Sequence, residues 1–299
     1  MTRGKSPFRA AGNAAMIAAR RWLLSLALLL PSLASAAPVE ETLPLELASG
    51  RTLEVRLLRP TQTIEKLPAV ILLGGYRRGA GALDLVTAGR PVMLAGFDYP
   101  AELPRKLRVS EIPRLVPQTR RGIAETREGL AALHRQLRQR PDVDSSRITL
   151  VGVSAGAPFA TLAAADTGFP AVILVHGFAD LPGMIQHQFA RRWEPSAGWL
   201  GRAGAWMSSR LLHALLGLPS IEQAAASLKP GRRVLMIRAE RDDFIPAASS
   251  LALEAALRRS GARVDLVVQP GGHVRGAAQE ELKPVLEASL EWMRQQRLI

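Results

Sequence analysis

The sequence predicts an α/β protein, with a mostly parallel central sheet and helices on both faces. Three observations carry that prediction. Short, largely apolar runs recur at 69–73, 91–97, 148–151, 171–175, 234–237 and 264–268, and a run without polar alternation is what a strand buried on both faces of a parallel sheet shows. Helix-favouring stretches at 119–138, 247–259 and 274–295 follow or separate several of these runs, as crossover connections require. Between the run at 148–151 and an alanine-rich stretch stands Gly152-Val153-Ser154-Ala155-Gly156, a Gly-x-Ser-x-Gly turn from strand to helix.

In chain order, residues 1–36 read first as a secretory signal peptide. They contain Arg3, Lys5, Arg9, Arg20 and Arg21 with no acidic residue, then an apolar run at 22–30, then Ala34-Ser35-Ala36 as the small-residue cleavage site. The run is too short for a span, which takes about 20 residues. Cleavage after Ala36 is expected, with no stable membrane span in the mature chain; Met16 is an alternative start, and Arg20-Arg21 a faint twin-arginine feature. Residues 37–299 then form the folded domain. Strands at 43–47 and 52–58 flank Ala48-Ser49-Gly50 as an antiparallel hairpin. The stretch at 119–138 places Ile123, Leu130, Leu133 and Leu137 on one face among many charges and stops at Pro141. An insertion at about 181–218 exceeds a single crossover helix and carries Trp193, Trp199 and Trp206, so a helical cap walling a substrate pocket is expected there.

Composition excludes other classes. With 47% hydrophobic and 22% charged residues in 299, the chain is globular. The net charge of +13 comes almost wholly from arginine, since only five of the 39 basic residues are lysine, and aromatic residues are 5%. No nucleic-acid module or interleaved aromatic-basic pattern is present, so no nucleic-acid partner is expected. The absence of cysteine removes disulfides and thiol chemistry. No histidine or paired-carboxylate spacing points to a metal, and no cofactor is expected. The oligomeric state is left open.

The chemistry-bearing residues fall at the carboxyl ends of predicted strands, the edge where parallel sheets place sites. Ser154, raised on the tight turn, is the candidate nucleophile; the backbone N–H of Ala155 at the following helix start is a candidate oxyanion donor. A serine nucleophile needs a base and an acid that holds the base, in the order serine, acid, histidine for this turn. Beyond the run at 234–237 lie Asp242 and Asp243, and beyond the next lies Pro270-Gly271-Gly272-His273. Of five histidines, His273 has the place of the base. His134 is expected to be solvated on its helix, His187 and His213 to serve the surface or the cap, and His176, at a strand end, to border the pocket. Asp84, Asp98 and Asp180 read as turn acids, with Asp180 the reserve acid.

From about residue 68 onward the chain resembles the α/β-hydrolases, nearest to the dienelactone-hydrolase and prolyl-oligopeptidase-like serine hydrolases. The resemblance rests on the Gly152–Gly156 turn, on Pro141-Asp142-Val143-Asp144 with Arg147-Ile148 before it, and on the order of acid loop and histidine. It implies an α/β-hydrolase fold and a triad of Ser154, Asp242 and His273, the acid being the residue four before the proline that closes its loop, Pro246. Asp243 is the alternative. It further implies that the backbone N–H of Tyr76 gives a second oxyanion donor, although Gly74-Gly75 stands where many relatives have His-Gly, and Ala239 where glycine is usual. The expected activity is hydrolysis of a small-molecule carboxylic ester through an acyl-serine. A thioesterase or peptidase could use the same triad, and a non-catalytic envelope binding protein with this fold is the alternative of a different class.

Overall fold

A computed structural model of the chain describes residues 37–61, 65–75, 78–86, 91–100, 112–274 and 279–299. The expected signal peptide, Tyr76 and residues 275–278 of the expected last helix lie outside these. Strands β1 (Val39–Glu46) and β2 (Thr52–Arg59) form the expected antiparallel hairpin. Its turn closes by N–H donation from Leu47 to Arg51 O and from Gly50 to Leu47 O, both 2.9 Å. Gly50 takes φ +78, which a residue without Cβ adopts at no steric cost.

The remaining strands are β3 (Leu67–Leu73), β4 (Met93–Phe97), β5 (Val143–Val153), β6 (Ala171–Val175), β7 (Arg233–Ala239) and β8 (Arg263–Gln269). They complete an eight-stranded sheet in the order β1-β2-β4-β3-β5-β6-β7-β8. From β4 to β8 every neighbouring pair is parallel, while β2 runs antiparallel to β1 and to β4.

The apolar runs are explained by two cores, one on each face. Ala69, Ile71 and Leu73 of β3, Ile148 and Leu150 of β5, and Val172 and Leu174 of β6 join helices α1 (Ile112–Gln139), α2 (Gly156–Asp166) and α5 (Ala247–Arg259). Val70, Leu72, Val151, Ile173, Leu235 and Ile237 face the other way, against Leu83, Val285, Leu290 and Trp292. The last three belong to α6 (Gln279–Gln295), and Leu83 to a 3-10 turn (Gly79–Leu85). Each fully buried Leu, Ile or Val is worth about 1.5–3 kcal/mol of transfer free energy. The site therefore stands on a sheet anchored from both sides.

Three expectations are corrected. Helix α1 begins at Ile112 rather than at 119 and runs through Pro117 in its second turn, where the ring forgoes one i→i−4 hydrogen bond without ending the helix. β5 starts at Val143, five residues earlier than the apolar run, because a register shift lets Leu67 pair with Val143 and Ala69 with Ile148. His134 is buried, not solvated: it lies four residues after Leu130 and three before Leu137, on the apolar face, and its ring stacks on Phe169 at 4.1 Å. Burial and the neighbouring Arg138, Arg232 and Arg135 push its pKa down to about 4.

The insertion is helical, as expected. Helix α3 (Leu181–Leu216) is 36 residues long but breaks at Gly198 (φ 53, ψ −130). The chain folds back there, so that a Cβ on Gly201 would meet Trp193 O at 2.6 Å. Asp180 caps its start, accepting from the Gly183 N–H at 3.0 Å, and Gly217 ends it at φ +56. A short helix α4 (Ile221–Ala226) leads into β7. Among the described residues no helix is long and apolar enough to cross a membrane.

Candidate active site

The strand-to-helix turn after β5 has the geometry its glycines predict. Ser154 sits at φ +53, a left-handed conformation that is rare for a residue with a Cβ and is found where a side chain must be presented. A Cβ on Gly152 would meet both Ala160 Cβ and Gly156 O at 2.6 Å. The Ser154 N–H donates to Val175 O of β6 at 2.8 Å, which ties the turn to the neighbouring strand end. Ala155 is the residue before α2, at the positive end of that helix.

Asp242 follows β7 and His273 follows β8, and a shared loop frame brings them to the serine. The Glu240 N–H donates to Gln269 O (2.8 Å) and the Arg241 N–H to Gly271 O (3.0 Å), locking the two loops together. Ser154 Oγ lies 3.1 Å from His273 Nε2, and His273 Nδ1 lies 2.9 Å from Asp242 Oδ2. Asp242 Oδ1 accepts from the N–H groups of Phe244 (2.9 Å) and Ile245 (2.8 Å), which fixes the carboxylate plane. Burial works to raise the pKa of Asp242, but the imidazoles of His176 and His273 beside it and the Ile245 N–H outweigh that and hold the carboxyl well below the usual carboxylate range. Being ionised, it only accepts, so the hydrogen on the facing nitrogen of His273 is Nδ1–H and Nε2 is left with a lone pair toward Ser154.

Asp243 turns away from this arrangement. Its carbonyl receives His187 Nε2 (3.2 Å) and Arg191, and its half-exposed carboxylate lies 3.4 Å from Arg191. The reserve acid Asp180 is occupied as a helix cap. Asp98 and Asp84 are structural, Asp98 accepting from the Ala80 N–H at 2.8 Å and Asp84 pairing with Arg56 at 2.8 Å.

His176 comes closer to the chemistry than a pocket border. It is buried at φ +50, its Nδ1 stands 3.2 Å from Asp242 Oδ2, and its ring centroid is 4.6 Å from that of His273. The contact is within ion-pair range but off the axis of a well-formed hydrogen bond, and among the described residues neither ring nitrogen has another partner. Ligand atoms of His176, Asp242 and His273 lie within 4.8 Å of one another, compact enough for a metal ion, but an ion there would have to displace the bonds just described.

Tyr76 lies outside the described residues. Trp193, Trp199 and Trp206 stand 36%, 69% and 51% exposed on the hairpin of α3, Trp193 stacked on Phe189 and Trp206 under Arg210. The cap reaches the site through its first arm instead, where His187, Gln188 and Arg191 hold the carbonyls of Asp243 and Phe244. Phe244, which the sequence did not single out, places its ring 5.0 Å from that of His273. The only signal for it was its place two residues after the acid.

Nucleophile turn, acid loop and histidine on one edge of a parallel sheet define a serine hydrolase of the α/β-hydrolase class. Solved structures share the fold: a Pyrococcus horikoshii acylaminoacyl peptidase (15% identity, TM-score 0.58, 86% of this chain and 41% of that one) and a Pyrococcus furiosus esterase (15%, 0.61, 86% and 91%). A Klebsiella pneumoniae protein provisionally assigned as a dienelactone hydrolase is similar as well (18%, 0.60, 87% and 99%). Residues 122–297 match the prolyl oligopeptidase family, and the chain belongs to that family. It spans about two fifths of the length of the acylaminoacyl peptidase. Among curated proteins no sequence match is found.

Proposed function

We propose that the chain hydrolyses carboxylic esters through an acyl-enzyme on Ser154. The observation that carries this is the continuous contact from Ser154 Oγ to His273 Nε2 (3.1 Å) and from His273 Nδ1 to Asp242 (2.9 Å). Ser154 Oγ attacks the ester carbonyl while His273 Nε2 takes its proton, and Asp242 stabilises the imidazolium that forms. The oxyanion is met by the Ala155 N–H at the start of α2, and the resemblance assigns the second donor to Tyr76. Collapse expels the alcohol, which leaves with the proton from His273, and water then repeats the sequence to release the acid and free Ser154.

An ester, rather than a peptide, is supported by the whole-length likeness to an esterase and to a provisionally assigned dienelactone hydrolase, of which the chain covers 91% and 99%. The family match favours a peptidase as the second reading. A panel of chromogenic esters, thioesters and peptide anilides discriminates between them, with turnover of the esters alone expected. Ser154→Ala should lower that turnover by about 10⁶ and abolish labelling by a fluorophosphonate. Retained hydrolysis in Ser154→Ala would remove the acyl-serine from the mechanism. We further infer export, on the basic start, short apolar run and Ala34-Ser35-Ala36; an N-terminus at Ala37 on protein recovered outside the cytoplasm is the expected outcome, and an intact Met1 in the cytoplasm rejects it.

A further inference from the structure

The second arm of the α3 hairpin is an amphipathic helix turned inside out. Its buried positions are small, Gly201, Ala205 and Ser209 at intervals of four, and these let the two arms approach closely. Its large apolar residues point to solvent: Trp199, Leu200, Trp206, Met207, Leu211 and Leu215 are 69%, 59%, 51%, 64%, 59% and 42% exposed. A surface helix ordinarily does the reverse. Together with Trp193, the hairpin holds seven of the ten exposed large hydrophobic side chains among the described residues.

Charge identifies what such a face fits. Helix α3 carries Arg191, Arg192, Arg202 and Arg210 against a single acid, Glu194, in a chain of net charge +13. Arg202 is exposed at the edge of the apolar face, where it also pairs with Glu194 at 3.6 Å, and Arg210 lies over the Trp206 ring at 4.5 Å. Tryptophan and arginine around aliphatic residues suit the boundary between phospholipid headgroups and acyl chains. A second copy seated on the same patch would set arginine against arginine, because a two-fold contact is self-facing. We propose that the outer face of the α3 hairpin docks on an anionic phospholipid surface. The inference stands whichever bond Ser154 cleaves.

The test uses the full chain and vesicles of phosphatidylglycerol and phosphatidylcholine, with pure phosphatidylcholine as the uncharged arm. Wild type is expected to co-sediment with the anionic vesicles, and its tryptophan emission to shift to the blue. The triple variant Leu200→Glu, Met207→Glu, Leu211→Glu should bind about a hundredfold more weakly, at roughly fivefold per half-inserted side chain. Arg202→Gln with Arg210→Gln should lose about fivefold per arginine on anionic vesicles and little on neutral ones. Far-UV circular dichroism and hydrolysis of a soluble ester establish that each variant is folded, and loss of ester hydrolysis in wild type would count against the catalytic reading alone. Equal vesicle binding by wild type and the triple variant overturns the inference, as does no binding at all. A lipid-free wild-type dimer that the triple variant dissolves, without vesicle binding, assigns the face to a second copy instead.

Discussion

Replacing Asp242 by Asn separates the orientation of His273 from its mere presence. The side chain keeps its shape, and Oδ1 can still accept from the Phe244 and Ile245 N–H groups. At the other position an NH₂ group would replace Oδ2 and face two imidazole nitrogens, His273 Nδ1 at 2.9 Å and His176 Nδ1 at 3.2 Å. To accept from it, His273 must move its hydrogen to Nε2, the atom 3.1 Å from Ser154 Oγ, and that nitrogen can then no longer take the serine proton. Loss of one hydrogen bond to a charged group would cost about 1.5–3 kcal/mol, roughly 10- to 150-fold. The tautomer trap carries the total to about 10⁴ in kcat, near 5 kcal/mol. The assay is steady-state hydrolysis of a soluble chromogenic ester, with Asp243→Asn as the control, since that carboxylate faces Arg191 and solvent. Activity of Asp242→Asn within tenfold of wild type, with a large loss in Asp243→Asn, would refute the assignment of the acid.

Two further outcomes follow from buried histidines. His176→Leu takes away the second group facing Asp242 Oδ2 and should lower kcat/KM by about tenfold, the small end of the range because the contact is off-axis; His176→Asn, which offers a donor and tolerates the left-handed φ of +50, should recover most of it. Equal losses in both variants would mean that the ring only fills space. His134 has its pKa depressed to about 4 in the fold, so the stability it contributes is present above its unfolded value near 6.5 and is lost as pH falls toward 4. That loss is on the order of 3 kcal/mol for the group, and urea midpoints at pH 7 and 4.5 should lie closer together in His134→Leu than in wild type; an unchanged gap would assign the acid sensitivity elsewhere.

Much of this site is legible in the sequence, because its parts are local. The strand at Ala171–Val175 and the helix at Ala247–Arg259 were bounded as the structure bounds them, since short apolar runs and alanine-rich stretches ended by Pro, Ser or Gly leave little choice of conformation. Gly152 and Gly156 announced the serine turn for a steric reason contained in five residues, and chain order placed Asp242 and His273 at neighbouring strand ends. Other properties depend on groups distant in sequence. The charges around His134 point it to water although its spacing from Leu130 and Leu137 sets it on the apolar face, and only the Phe169 ring opposite shows why that place is dry. Asp242 and Asp243 are equal as neighbours in a loop; the arm of α3 that takes the Asp243 carbonyl and pairs with its carboxylate separates them. His176 lies 66 positions before Asp242 and meets it only because β6 and β7 pair in parallel with ends in register. The three tryptophans mark the limit of composition most clearly: an apolar residue type states a need for burial, but whether it faces a pocket or solvent is set by the Gly198 break and the small residues that turn the second arm over.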